Sequence, residues 1–331
     1  MRIALDAMGG DYAPDEIVKG ALEALKSDSE LDLILTGNEA VLTRLFPEIP
    51  KTERLRLKHC TQVIEMDEHP AIAYRKKKDA SITVATQLVK DGQADAVVSA
   101  GSTGAQMTAA LLGLGRIPGI ERPAIVTLLP TERGRTLLLD SGANTGSGPE
   151  ALVQFAQMGQ VCAKVLLERE SPTVCLLSNG SEETKGDEAV KAAHQLLKNR
   201  AGMNFQGNVE GRDLLKGRAD VIVCDGFAGN VALKVMEGTV ETVFRQLKGL
   251  LTGSIKNKIG AWLIKNALRD TVKNLDYSEH GGAPLLGVDG ISVICHGSSN
   301  ATAIKNALFM AKRCVKAGFL EQLRNMSLNE S

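Results

Sequence analysis

Glycine-rich turns with neighbouring Asp, Asn or Ser residues recur along this 331-residue chain, and most of them directly follow a short aliphatic run. Such turns present backbone N–H groups at the start of the next helix, where negatively charged ligands are favoured. A single glycine turn is weak support for a ligand site, because any strand-to-helix connection favours glycine, but six are harder to dismiss. We therefore predict a phosphate or a phosphorylated ligand. The turns are Asp6–Asp11, Gly101–Gly104, Ser141–Asn144, Ser178–Ser181, Asp225–Asn230 and Gly297–Asn300.

These turns need a sheet to position them, and the chain repeats one unit, an aliphatic strand followed by a small-residue turn and a helical pattern. Continuous aliphatic strands such as Leu137–Leu139 and Val221–Val223 indicate burial on both faces, which is typical of parallel sheets covered by helices. We predict an α/β fold with a doubly wound, mainly parallel sheet, as one domain over residues 1–331 or as two closely packed lobes. The turns are then expected along one edge of the sheet, at the carboxyl ends of its strands.

The composition argues against several classes of protein. The chain has 39 Lys and Arg residues against 39 Asp and Glu residues, which argues against a general nucleic-acid binder. No apolar run is long enough to cross a bilayer, and the sequence enters a strand at Ile3 without a leader, so we expect a cytoplasmic protein. The six cysteines are scattered, without the short Cys or His spacing of a zinc site, and we expect buried reduced thiols and no metal.

Five motifs, taken in their order along the chain, resemble the PlsX family, the phosphate acyltransferases of bacterial phospholipid synthesis. The resemblance spans nearly the whole chain and implies transfer of a fatty acyl group from acyl carrier protein to inorganic phosphate, which gives acyl phosphate. It also implies a fold similar to isocitrate and isopropylmalate dehydrogenases and phosphotransacetylase, a homodimer, and a membrane glycerol-3-phosphate acyltransferase that uses the acyl phosphate. The motifs are Asp6–Asp11, Ser99–Ala105, Asp140–Asn144, Thr184–Gly186 and Asp225–Val231.

The implied reaction needs an anion cradle and an oxyanion donor but no cofactor, because phosphate attacks the thioester directly and a thiolate is a tolerable leaving group. We assign Lys185 and Asn230 to the phosphate or the oxyanion; the alternatives are a solvated loop lysine and a helix N-cap. His296 either protonates the leaving thiolate or is structural. The predicted phosphate and substrate cradle, built largely from main-chain N–H groups, comprises Gly9, Gly10, Gly101, Ser102, Thr103, Gly104, Gly142, Asn144, Gly229 and Ser298.

Two further segments are candidate contact surfaces. The basic run Arg75–Lys78 is either a solvated face or a docking surface for an acidic carrier protein. A second segment, an arm at about residues 246–275, has six basic residues and one acidic residue. We predict an amphipathic helical hairpin, interrupted at Gly253 and Gly260, that packs on a second subunit, contacts a membrane surface, or does both. The residues concerned are Arg75, Lys76, Lys77 and Lys78 in the first, and Leu250, Leu251, Ile259, Trp262 and Leu263 in the second.

Two other functions compete with acyl transfer. A nicotinamide-dependent dehydrogenase of similar fold needs a G-x-G-x-x-G turn after its first strand, but the first turn has only Gly9-Gly10, and Gly113–Gly119 follows a helix. A regulator that binds an anion or an acyl lipid without catalysis would use the same crevice. The ordered set of motifs favours the acyltransferase.

Overall fold

Short aliphatic strands form one eleven-stranded sheet within residues 1–47, 53–265 and 281–328, which are the residues that the computed structural model describes. The strands are β1 (Arg2–Asp6), β2 (Asp32–Gly37), β3 (Leu55–His59), β4 (Ala96–Ser99), β5 (Ala124–Thr131), β6 (Gly134–Leu139), β7 (Val174–Ser178), β8 (Phe205–Glu210), β9 (Val221–Val223), β10 (Ala283–Leu286) and β11 (Ile291–Ile294). Inner strands such as β1, β4, β9 and β11 are buried on both faces, as their continuous aliphatic sequences predict, whereas the edge strands β3 and β8 are partly exposed.

Helices follow most of the strands, and short polar side chains fix where several of them begin. Asn38, Asp187 and Asn300 each accept a hydrogen bond from a backbone N–H three residues later, so each is an N-cap. A π-helical segment, Ala110–Leu114, continues α5. The helices are α1 (Asp15–Ser27), α2 (Glu39–Leu45), α3 (Pro70–Lys76), α4 (Ser81–Lys90), α5 (Thr103–Ala109), α6 (Pro149–Leu166), α7 (Glu188–Lys198), α8 (Gly226–Thr252), α9 (Ile255–Leu263), α10 (Ala301–Lys316) and α11 (Phe319–Leu328).

Helices cover both faces of the sheet, which confirms the doubly wound prediction. In β1, Ile3 and Leu5 pack into a cluster with side chains of α1, α6 and α10, whereas Ala4 packs into a separate cluster with side chains of α4 and α5. This alternation follows from the pleat of a strand, in which successive side chains point to opposite faces. None of the helices in the described ranges has the length and apolar content that crossing a membrane requires.

The strand order is β3-β2-β1-β4-β11-β10-β5-β6-β9-β7-β8. Neighbours are parallel from β3 to β11 and again from β6 to β8. The three central pairings, β11 with β10, β10 with β5, and β5 with β6, are antiparallel. A mainly parallel sheet is therefore confirmed, but the expectation of all turns along one edge is wrong. Because three successive pairings are antiparallel, the set β6, β9, β7 and β8 runs opposite to the set β3, β2, β1, β4 and β11.

The register of the central strands nevertheless brings the two sets of carboxyl ends together. Ile294, the last residue of β11, lies opposite Ala283 at the start of β10. Two residues further along β10, Leu285 lies opposite Ile125, and the next residue of β5, Val126, lies opposite Leu139 at the end of β6. The ends of β11 and β6 are thus nearly level and about 14 Å apart, three strand spacings. The division into one domain or two closely packed lobes stays a prediction.

Candidate active site

A cleft of about 760 Å³ lies over β10 and β5, where the two sets of carboxyl ends converge. Its volume is in the usual range for small-molecule sites, and its wall is part apolar and part polar. The apolar part is formed by Met107, Ile125, Leu128, Leu233, Ala283, Ile294, Cys295 and Ala303. The remaining lining residues are Thr103, Gly104, Thr127, Ser141, Gly142, Asn230, Lys234, Glu237, Gly281, Gly282, His296, Ser298, Ser299 and Asn300.

One face of α8 forms a wall of this cleft. Asn230, Leu233, Lys234 and Glu237 are spaced by three and four residues, which places their side chains on one side of a helix. Lys234 Nζ donates to Glu237 Oε2 at 2.7 Å, and the two side chains are 54% and 28% exposed. Ion pairs with this spacing and exposure stabilise a helix by only about 0.3–0.5 kcal/mol, so this pair opens easily. Neither residue is among those predicted from the sequence. The four-residue spacing from Asn230 to Lys234 is the signal that finds the lysine.

Gly226 and Gly229 allow the first turn of α8 to pack directly against the turn that follows β6. A Cβ on Gly229 would lie 2.0 Å from the carbonyl oxygen of Asp140, and one on Gly226 would lie 2.3 Å from that of Asn144. The Gly229 N–H is already donated to the Asp225 carbonyl within the helix. Gly229 is therefore a packing residue in this structure, outside the lining of the cleft. The close approach leaves the Asn230 side chain beside Gly142, and both line the cleft.

The carboxylate of Asp140 organises the turn after β6. It is fully buried and accepts hydrogen bonds from the backbone N–H groups of Gly142, Ala143 and Asn144 at 2.8–3.1 Å. It also accepts one from the N–H of Ile125 at 3.0 Å. The Asn144 amide donates to the Pro123 carbonyl and to Asp140, not into the cleft. The turn amides thus face a protein carboxylate, which differs from the sequence prediction that they face a phosphate.

A second buried carboxylate, Asp6, organises the turns after β1 and β4. Ser99 Oγ donates to it at 2.7 Å, the Met8 N–H donates at 3.1 Å, and the Gly101 N–H donates to Ser99 Oγ at 3.0 Å. Burial raises the pKa of Asp6, although these hydrogen bonds partly oppose the rise. A Cβ on Gly9 would lie 2.8 Å from the Gly101 nitrogen, so the two glycines let the turns touch. Four residues of the predicted cradle therefore lie outside the lining of the cleft: Gly9, Gly10, Gly101 and Ser102.

Asp225, the N-cap of α8, joins the same region. Its carboxylate accepts hydrogen bonds from the N–H groups of Phe227 at 2.9 Å and Ser147 at 2.8 Å. Partial burial favours the neutral acid, but the hydrogen bonds outweigh it and hold the pKa of Asp225 below its ordinary value. An ionised carboxylate at the N-terminus of α8 also suits the helix dipole. Asp225 is therefore a capping residue of α8.

His296 and Ser298 line the cleft together after β11. His296 Nδ1 lies 2.8 Å from Ser298 Oγ and accepts a hydrogen bond from the Ser298 N–H at 3.2 Å. Because Nδ1 is an acceptor, the neutral imidazole carries its proton on Nε2, where it is a donor. On the opposite side, Thr127 Oγ1 donates to Ser141 Oγ at 2.7 Å. The cleft thus brings together six of the predicted residues: Thr103, Gly104, Gly142, Asn230, His296 and Ser298.

Lys185 lies apart from this group. It is exposed in the loop after β7, and β7 is separated from β6 by β9, about 10 Å away across the sheet. The loop is held by the Asn179 side chain, which accepts from the Gly186 N–H at 2.9 Å, and by Asn208, which donates to the Glu182 carbonyl at 2.9 Å. Lys185 is not one of the residues that line the cleft.

The six cysteine thiols are all free and buried. Cys295 lines the cleft, but burial raises its pKa to about 12. The same cause raises the pKa of Cys60 to about 12 and that of Cys175 to about 11. Thiols with such pKa values hold almost no thiolate at neutral pH and are poor nucleophiles. Groups of His, Cys, Asp or Glu that could hold a metal ion do not occur among the described residues.

The basic run lies at the end of α3, close to the cleft. Pro70, at the other end of α3, contacts the start of α5, because a Cβ on Gly104 would lie 2.7 Å from its ring. Seven helical residues span about 10 Å, so the run is about that far from the cleft wall. Arg75 and Lys76 are exposed, and Lys78 lies 4.8 Å from the centre of the Tyr74 ring. Lys77 is instead turned inward, since it donates to the Val63 carbonyl at 2.7 Å and pairs with Glu68.

The predicted arm is formed by the second half of α8 and by α9. Gly253 ends α8, and Ser254 caps α9 by accepting from the Asn257 N–H at 3.1 Å. The predicted interruption at Gly253 is confirmed, whereas the one at Gly260 is wrong, because Gly260 lies inside α9. Residues 266–275 of the prediction lie outside the described residues. Apolar side chains are exposed along both helices, including Val243, Leu250, Ile259, Trp262 and Leu263; Leu251 is half-buried.

Comparisons with known proteins point to one family. A family model described as "Fatty acid synthesis protein" matches residues 1–322. The phosphate acyltransferase of Desulfitobacterium hafniense strain Y51 is 55% identical over 98% of this chain and 96% of its own length. That of Heliobacterium modesticaldum is 55% identical over 98% and 97%. A phosphotransacetylase structure from Streptococcus pyogenes has a TM-score of 0.62 at 19% identity and covers 96% of this chain and 94% of its own. This last likeness concerns the fold alone.

The packing of Gly229 gives a test of how α8 is held. We expect Gly229→Ala to lower the free energy of unfolding by about 1–3 kcal/mol or more, because the added methyl group overlaps the backbone at Asp140. Gly238→Ala, in the same helix with no atom within 4 Å of the new Cβ, should instead raise it by about 0.5–1 kcal/mol. Urea unfolding followed by circular dichroism measures both. Equal effects of the two substitutions would contradict the close contact.

Proposed function

Because the chain belongs to the fatty acid synthesis protein family, whose relatives above are named phosphate acyltransferases, we propose that it transfers a fatty acyl group from acyl carrier protein to inorganic phosphate. The product is an acyl phosphate. The family match over residues 1–322 is the observation that carries this proposal. A cleft with an apolar part and a polar part supports it, since the substrates are a fatty acyl chain and an anion.

The proposed reaction is a direct attack of phosphate on the thioester. A phosphate oxygen forms a bond to the thioester carbonyl carbon, the carbonyl oxygen takes the negative charge, and the carbon–sulfur bond then breaks to release a thiolate. No covalent acyl-enzyme is needed, which agrees with the raised pKa and burial of Cys295, the cysteine in the cleft. Thiols have a pKa of about 8.5, so the thiolate leaves with little help from an acid.

Two residues of the cleft have donors for these steps. The Asn230 amide, held beside Gly142, can donate to the carbonyl oxygen as its charge grows. His296, with its proton on Nε2, can donate a hydrogen bond to the leaving sulfur as negative charge grows there. Phosphate would then bind near Thr103, Gly104 and Ser298, at the start of α5 and before α10.

The Asn230 role is tested by substitution. Loss of one oxyanion donor costs about 10²–10³ in kcat, so we expect Asn230→Ala to lower acyl phosphate formation by that factor while the protein still folds. Purified protein is incubated with acyl carrier protein thioester and phosphate, and acyl phosphate is trapped with hydroxylamine. We expect a smaller loss for Lys185→Ala, because Lys185 is exposed and lies outside the cleft lining.

The same assay, together with measurements of ligand binding and of nicotinamide reduction, separates the competing functions. No acyl phosphate from the wild type, with phosphate or acyl lipid still bound, would favour the non-enzymatic regulator. Reduction of a nicotinamide cofactor would favour the dehydrogenase. If Lys185→Ala lowers acyl phosphate formation as much as Asn230→Ala does, the loop after β7 belongs to the active site.

We propose that the acidic carrier protein docks on Arg75, Lys76 and Lys78. Their distance of about 10 Å from the cleft wall suits a carrier whose acyl group is delivered on a flexible arm. In Arg75→Glu/Lys76→Glu, we expect KM for the acyl carrier protein to rise roughly tenfold at low salt, and less at high salt. The double reversal Lys26→Glu/Lys164→Glu, at exposed lysines of α1 and α6, is the matched control. No change in KM, or the same change in the control, would contradict docking.

We further propose that a second copy of the chain covers the middle of α8 and that the tip formed by α9 contacts the membrane. Exposed Trp262 and Leu263 lie near Lys256 and Lys258, a combination that suits an anionic lipid surface. This position would bring a cytoplasmic enzyme to a membrane glycerol-3-phosphate acyltransferase that consumes acyl phosphate.

Two substitutions distinguish the tip from the middle of α8. Trp262 emission should shift to shorter wavelength with anionic vesicles but not with zwitterionic ones, and Leu263→Asp should abolish the shift without changing the mass in solution. Val243→Asp should halve the mass by sedimentation and leave a vesicle response. No emission shift in the wild type argues against membrane contact, and a monomeric wild type argues against the second copy.

A further inference from the structure

Lys234 is the only lysine or arginine among the described residues that line the cleft, and Glu237 is the only acidic residue there. The other ionisable groups with side chains in the lining are His296 and the neutral thiol of Cys295. The turn amides of residues 142–144 are bonded to Asp140, and Lys185 lies outside the lining. Among the described lining residues, an anion in this cleft therefore meets one permanent positive charge, and that charge is paired with a carboxylate.

The position of the pair suits exchange of one partner for another. Lys234 follows Asn230 by one helical turn, so the two side chains lie on the same face of α8, which forms this wall of the cleft. Nζ lies 2.7 Å from Glu237 Oε2, and about half of the lysine side chain is exposed. A flexible, half-exposed lysine can turn from a carboxylate to a phosphate within the cleft at little cost, because both partners are reached from one backbone position.

We propose that Lys234 is the phosphate-binding cation of this cleft and that Glu237 competes with phosphate for it. When phosphate enters, Nζ leaves Glu237 and donates to a phosphate oxygen. The inference rests on the proposed function for the identity of the anion. Under this proposal, loss of Lys234 weakens phosphate binding and loss of Glu237 strengthens it, whereas a purely structural salt bridge would give no such opposite effects.

Phosphate binding to the full-length protein provides the test, measured by calorimetry with inorganic phosphate and no acyl substrate. We expect Lys234→Gln to raise Kd about tenfold or more, because a charge-assisted hydrogen bond to the anion is lost. Glu237→Gln should lower Kd by about three- to tenfold, because it removes both the competitor and a like charge. Lys234→Arg should stay within a few-fold of the wild type.

A matched pair on the same helix supplies the control. Arg245 donates to Glu241 at 2.9 Å, both side chains are more than 70% exposed, and neither lines the cleft. Glu241→Gln and Arg245→Gln should leave the Kd for phosphate unchanged. Circular dichroism of each variant checks that α8 is intact.

Steady-state kinetics separate this inference from the proposed function. For an active enzyme we expect Lys234→Gln to raise KM for phosphate more than it lowers kcat. The inference is overturned if the wild type binds no phosphate, if Lys234→Gln leaves Kd unchanged, or if Glu237→Gln weakens binding as Lys234→Gln does. Opposite effects on Kd in a protein that forms no acyl phosphate would keep the inference and reject the proposed function.

Discussion

The antiparallel junction at the centre of the sheet is the constraint on which the cleft depends. Eleven strands at their usual spacing extend over about 50 Å, so the carboxyl ends of a wholly parallel sheet would be spread too widely to form one small site. Three reversed pairings turn the second set of strands around, and the register of β10 and β5 brings the end of β6 to within three strands of the end of β11. Residues from positions 103 to 303 can therefore line one cleft.

Two buried carboxylates then fix the turns on either side of that junction. Asp6 and Asp140 each end a strand or follow it directly, and each accepts hydrogen bonds from the turn that comes next. Buried carboxylates need such donors, since an unpaired charge would cost several kcal/mol in the interior. Because the amides satisfy protein carboxylates, the polar groups that remain for a ligand belong mainly to the first turns of helices and to side chains such as Asn230 and His296.

Much of the fold could be predicted from the sequence because burial on both faces leaves continuous aliphatic strands, as at β1, β4, β6 and β9. The antiparallel strands β5 and β10 are not predicted, because each is followed by another strand and not by a small-residue turn and a helix. The roles of individual glycines cannot be predicted from the sequence, for a different reason. Whether Gly229 binds an anion or allows close backbone packing depends on its contact with Asp140, which lies 89 positions earlier in the chain. The position of Asn230 in the cleft, by contrast, is predicted correctly from the motif in which it lies.

The charge balance of the cleft has a consequence for turnover. A transferase that uses phosphate must release an acyl phosphate, which is also an anion, so a strongly positive cleft would bind substrate and product alike. Interactions that hold the substrate and the transition state equally lower KM without raising kcat, and tight binding of the product slows its release. Lys234, paired with Glu237, would hold an incoming anion less tightly than an unpaired lysine would. If the cleft binds phosphate as proposed, Glu237 weakens ground-state binding, and the stabilisation that raises kcat must come from groups that meet charge only in the transition state, of which the Asn230 amide is the one best placed.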